Sequence, residues 1–236
     1  MMRELAAGNW AGAFHPRIPP LFVISGVGLI FLGLSPFIAA KLASALWFAV
    51  GVLPVYGLQR QVFGHRVAAL ATLLYVLCTR LQRFAVEGIK DSAKTTLLVA
   101  MVWALLLVWQ RPSWWRIAGV AVSGALLALV WSGGSVLLLL ALGAVLWRDL
   151  RGRLVGRQAG WRWPWRTVAA GVLALTLLGP WLAYVRHATG LPLAEARHAE
   201  VLRRLGVGMV VDRIQQTPAM PRDPTLALEP QMRAAA

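Results

Sequence analysis

A chain of 236 residues that is 58% hydrophobic and only 14% charged lacks the polar surface a soluble domain of this size needs. Its net charge of +15 fits a nucleic-acid binder in principle. The Arg residues, however, fall in loops between apolar stretches, which cytoplasmic retention and anionic headgroups explain without nucleic acid. The single cysteine, Cys78, excludes an intrachain disulfide and a thiolate cluster and reads as a small buried hydrophobe.

Residues 1–18 predict a short amphipathic helix and a turn at His15-Pro16-Arg17, with no apolar core long enough for a cleavable signal peptide. Pro19 and Pro20 break any helix there. The run from Leu21 to Leu34 is too short to cross a bilayer, which takes about 20 residues, and predicts an interfacial or re-entrant segment. Spans are expected at roughly 38–57, 66–84, 95–110 and 167–185 by apolar length. The stretch from Ile117 to Trp147 is too long for one span, and Ser132, Gly133 and Gly134 predict two short helices joined by a tight turn. Because lipid cannot hydrogen-bond a backbone, these spans must be helices. The expected fold is an all-α polytopic membrane bundle of about six transmembrane helices plus the interfacial segment. It divides into an external segment 1–37, a helical membrane domain 38–186 and a polar, partly disordered tail 187–236, within which Leu193–Leu205 suggests an amphipathic surface helix.

Loop charge sets the orientation. Arg60 and Arg66, then Arg111 and Arg116, then Arg148, Arg151, Arg153, Arg157, Arg162 and Arg166 fall on one side if each segment crosses once. That side is assigned to the cytoplasm. Trp147, Trp161, Trp163 and Trp165 flank the last of these loops as an interfacial belt.

The opposite side carries the segment TRLQRFAVEGIKDSAK, where acids and bases crowd beside the membrane. Glu87 and Asp91 are four apart and would share a face if the segment were one helix, surrounded by Arg80, Arg83, Lys90 and Lys94. Ionisable groups beside a bilayer are candidate functional residues; a solvated loop with incidental ion pairs is the bland alternative. Arg17 in HPRIPPL can hold phosphate oxygens through its guanidinium or simply snorkel to headgroups. His15, His65, His187 and His198 match no metal-ligand spacing, and no nucleotide-binding or hydrolase motif is present.

The order AAGNWAGAFHPRIPPLF, AAKLASALWFAVGVLPVYGLQRQVFGHRVAALATLL, EGIKD and GPWLAYVRHATGLPL, from about residue 3 to residue 193, resembles bacterial glycosyltransferase family 39, the protein-mannosyltransferase-like enzymes of GT-C fold. The resemblance implies an enzyme of the bacterial inner membrane. It would pass a sugar from a polyprenyl-phosphate carrier to a lipid, glycan or protein acceptor on the extracytoplasmic face. It also implies that Pro19, Pro20 and Leu21 lie near the carrier phosphate with Arg17 as the accompanying base and His15 beside it. An external acid, Asp91 or Glu87, shapes the pocket, with Arg83 and Lys90 on the leaving phosphate. No cofactor is required by the resemblance, and a divalent cation is compatible with it. The family's principal acid follows its first transmembrane helix, a region that would precede Met1, and many members carry a C-terminal soluble domain. The expectation is therefore a membrane core shortened at both ends. A transporter fragment and a non-catalytic membrane scaffold are the alternatives. Pro54 and the break at Ser132–Gly134 favour the first, and the small residues Gly119, Ser123 and Gly124 the second.

Overall fold

The structure is a computed structural model and describes residues 2–8, 19–154 and 165–189. Every regular element among them is a helix. Contacts divide the chain into Met1–Tyr184, which holds the bundle, and Val185–Ala236.

A short helix α1, Met2–Ala6, lies on α2, Leu21–Phe31, where Leu5 and Val23 are buried together. Gly26 makes this approach possible, since a Cβ there would stand 2.5 Å from Met2 Sδ. After a turn comes α3, Pro36–Phe63, the longest helix. Ser35 accepts the Ile38 amide at 3.4 Å and Pro36 occupies the first helical position, so the start is fixed by its sequence. At 28 residues α3 is about 42 Å long, more than a hydrocarbon core of about 30 Å requires.

The expected span at 66–84 is not one helix. Gly64, at φ 84°, ends α3; α4, His65–Leu77, and α5, Thr79–Glu87, follow with a bend of 52° between them. Cys78 is extended at the bend. No Pro or Gly marks the spot. The cause is polarity: beyond Cys78, Arg80, Gln82, Arg83 and Glu87 face outward and Ala85 inward, a pattern suited to a bilayer surface and not to its interior.

The remaining helices are α6, Asp91–Gln110; α7, Trp114–Val130; α8, Gly134–Leu154; and α9, Trp165–Thr189. The break at Ser132–Gly134 falls where the glycines place it. Among the described residues three helices are long and apolar enough to cross a membrane, Pro36–Phe63, Asp91–Gln110 and Trp165–His187, or four if the bent α4–α5 pair counts as one span. The all-α membrane bundle is thus present, with fewer full-length spans than the apolar runs suggest. α7 has only 17 residues, and α8 spends its last turns on Arg148, Asp149 and Arg151. The short run Leu21–Leu34 yields only the 11-residue α2, as its length requires.

α3 and α6 run side by side in the same direction, with Ser44 beside Ser92 and Gln61 bonded to Gln110. α7 returns along α6, α8 along α7, and Thr167 at the start of α9 meets Asp149 near the end of α8 at 3.1 Å. Val108, Ile117, Val120, Leu127, Val130 and Val145 form the fully buried centre. Small residues let the backbones approach: a Cβ on Gly124 would lie 2.6 Å from Leu138 Cδ1 and 3.2 Å from Met101 Sδ. Leu70, Leu73, Leu74, Leu139, Leu140 and Leu175 face outward, as lipid-covered side chains do.

Candidate functional site

The helix directions gather the loops into two ends. One end holds the C-terminus of α3, the α6–α7 turn, the last turns of α8 and the start of α9, with Trp114 stacked on Trp165 at 6.0 Å. The Arg residues 60, 66, 111, 116, 148, 151 and 166 lie there. Arg116 Nη1 donates to the carbonyls of Leu107 and Arg111 at 3.2 and 2.8 Å, closing the end of α6 with a cation where the helix dipole favours one. Arg153, Arg157 and Arg162 belong to stretches whose side chains are outside the described residues.

The other end is the mouth formed by the start of α3, the α5–α6 turn and the α7–α8 turn. Its geometry begins with Gly88, left-handed at φ 71°, which stops α5 immediately after Glu87. Glu87 and Asp91 are therefore on different helices and do not share the face that one continuous helix would give them. Gly88 also lies against α3: a Cβ there would stand 3.1 Å from Lys41 N and 3.2 Å from Ala40 C. Ser44 fixes the turn from below. Its fully buried hydroxyl lies 2.9 Å from both the Phe84 and Ile89 carbonyl oxygens, one of which takes its proton, and 3.1 Å from Ser92 Oγ. One turn deeper, Thr96 Oγ1 donates to the Trp47 carbonyl at 2.7 Å.

The sequence-predicted residues divide into three groups. Arg83 and Glu87 come together, Nε to Oε1 at 2.5 Å, with side chains 78% and 40% exposed. Pairs that exposed contribute at most about 1 kcal/mol, so this one orders the rim and does little for stability. Asp91 and Lys90 occupy the start of α6, where Asp91 Oδ1 is 4.0 Å from Lys94 Nζ. Pro19 and Pro20 are buried, but at the far end of α2, about 16 Å along its axis from the turn into α3. The mouth acids and the prolines are not brought together. His15, Arg17, His198 and the segment 193–205 lie outside the described residues.

Trp131 and Lys41, also at the mouth, were not singled out by the sequence as site residues. Lys94 Nζ stands 4.6 Å from the centroid of the Trp131 ring, a contact worth about 0.5–2 kcal/mol depending on desolvation. Lys41 Nζ stands 4.4 Å from the Phe37 ring. The signal for Lys41 was in the sequence, as a lone cation near the start of an apolar helix. Trp131 gave none, since its partner is distant in the chain. Among the described residues no three His, Cys, Asp or Glu side chains gather as a metal site.

An all-α bundle with membrane-length helices, Arg-rich loops at one end and a mouth of mixed charge at the other marks an integral membrane protein. The family model described as dolichyl-phosphate-mannose-protein mannosyltransferase matches residues 15–184, and the chain belongs to that family of membrane glycosyltransferases. No curated protein and no solved structure matches it.

Proposed function

We propose that this protein takes a sugar, mannose or a close relative, from a polyprenyl-phosphate carrier and transfers it to a lipid, glycan or protein hydroxyl on the extracytoplasmic side. The observation that carries the reading is the family match across residues 15–184, which spans the mouth and most of the bundle. A second support is charge placement. Arg80, Arg83, Lys90 and Lys94 lie at the end opposite the Arg-rich loops, where retention in the cytoplasm does not account for them and an anionic ligand does.

In this reading an acid of the mouth, Asp91 before Glu87, takes the proton of the acceptor hydroxyl as its oxygen attacks the anomeric carbon. The bond from that carbon to the phosphate oxygen breaks, and the phosphate leaves with the electron pair, so no acid is needed to protonate it. Attack from the face opposite the phosphate inverts the centre. Arg83 and Lys90 stabilise the charge gathering on the leaving group, with Arg17, His15, Pro19 and Pro20 serving the carrier's path. Asp91 is preferred because Glu87 is already held by Arg83 at 2.5 Å. A divalent cation bound to the carrier phosphate would serve as a further counter-charge.

The test is transfer of labelled mannose from polyprenyl-phosphate mannose by the native membrane protein. Arg17→Ala and Asp91→Asn should abolish transfer while insertion stays normal. Undiminished turnover in both would overturn the site, and solute flux without sugar transfer in reconstituted vesicles would overturn the reaction.

A further inference from the structure

Lysine is scarce in this chain. Of its 24 basic residues, three are Lys, namely Lys41, Lys90 and Lys94, and all three stand at the mouth. Lys90 and Lys94 occupy the N-terminal end of α6, where unpaired backbone amides make a cation unwelcome. A lysine in the first turn of a helix needs compensation from elsewhere.

Lys94 has it on two sides. Asp91 Oδ1, three residues earlier on α6, is 4.0 Å from its nitrogen, and the Trp131 ring is 4.6 Å away from the side of the α7–α8 turn. The ring is itself seated: it covers Gly133, where any Cβ would collide with Cζ2 and Cε2 of the indole. Gly134 continues the seat, because a Cβ there would lie 2.7 Å from the backbone of Leu127 and Ala128. The α7–α8 turn thus presents an indole fixed in place. Lys94 bridges that indole to the Asp91 carboxylate, which it meets at Oδ1.

We propose that Trp131 is a positioning residue for sugar transfer: it anchors Lys94, and through Lys94 it holds the Asp91 carboxylate at the mouth. The proposal rests on the transferase reading, in which Asp91 receives the acceptor's proton. Without the indole the ammonium swings free on its four-carbon stem and the carboxylate loses its fixed orientation. The effect falls on turnover more than on donor binding, since the ring acts through Lys94 on the carboxylate that takes the proton.

The experiment joins lysine reactivity to kinetics in the native membrane protein. Acylation with an acetyl succinimidyl ester, followed by peptide mass spectrometry, resolves Lys41, Lys90 and Lys94 separately. Lys94 should acylate several-fold more slowly than Lys90. Trp131→Leu should bring Lys94 to the rate of Lys90 and lower kcat about tenfold or more, with the donor KM held within about twofold. Trp131→Phe, which keeps a ring face, should restore both. Should Trp131→Leu fail to fold, Lys94→Met keeps the indole in its seat and should lower kcat to the same degree. Equal acylation of Lys90 and Lys94 in the unaltered protein would overturn the clamp, and so would undiminished kcat in Trp131→Leu or in Lys94→Met. An unaltered protein that protects Lys94 but transfers no sugar would instead sink the transferase reading, and the positioning role with it.

Discussion

Gly88 rests against the backbone of Lys41, close enough that a Cβ would stand 3.1 Å from the Lys41 nitrogen. This one contact joins the turn that carries Glu87 and Asp91 to the longest helix of the bundle. Gly88 is also left-handed at φ 71°, so both space and backbone demand glycine. Gly88→Ala should destabilise the protein by about 1–2 kcal/mol and displace the turn, measured as a lower thermal midpoint in detergent.

Ser44 holds the same turn by hydrogen bonding from α3. Ser44→Ala removes a fully buried hydroxyl that lies 2.9 Å from two carbonyl oxygens and leaves one of them without its donor. The expected loss is about 1–3 kcal/mol, read from the unfolding midpoint in denaturant. Ser44→Cys, nearer in size, should lose less.

Glycines of the α7–α8 hairpin should respond to the same substitution with opposite signs. Gly134→Ala would place a Cβ 2.7 Å from the Leu127 carbonyl and the Ala128 nitrogen, atoms of the backbone that cannot step aside. A loss of about 3 kcal/mol is expected. Gly143→Ala meets nothing within 4 Å inside α8 and should gain up to about 1 kcal/mol from helix propensity. Paired thermal melts check both.

The two mouth acids should separate by kinetics. Asp91→Asn should slow transfer by about 10²–10⁴-fold, the range of a lost general base. Glu87→Gln breaks only the exposed pair with Arg83, so stability should change by less than about 1 kcal/mol and turnover should fall far less. Single-turnover transfer at saturating donor distinguishes them.

Sidedness follows from the Arg-rich end. In a Cys78→Ser background, Lys90→Cys should react with an impermeant maleimide in intact cells. Arg111→Cys, at the opposite end, should react only after permeabilisation. The reverse pattern would invert the assignment.

Much of the fold was legible because lipid imposes a simple rule. Apolar length located α3, α6 and α9, and the glycines after Ser132 marked the α7–α8 turn. The bend at Cys78 carries no Pro or Gly; the end of the apolar run there and the polar residues from Arg80 onward are its only sequence signal. The site was less legible. Spacing alone put Glu87 and Asp91 on one face, whereas the intervening Gly88 was itself the helix stop that separates them. The contact of Lys94 with Trp131 spans distant parts of the chain and follows from packing of α6 against α7, which no local pattern encodes. The family resemblance groups Pro19 and Pro20 with the acids, whereas the antiparallel course of α2 and α3 sets them apart along the bundle.

The central claim is sugar transfer from a lipid-phosphate carrier, and the most direct measurement is stoichiometry in proteoliposomes. The native protein would be reconstituted with polyprenyl-phosphate mannose labelled in the sugar and supplied with acceptor. One equivalent of free polyprenyl phosphate released for each sugar transferred, with both lost in Asp91→Asn, is the expected result. Carrier phosphate that stays fully glycosylated in the presence of folded, inserted protein and acceptor would contradict it.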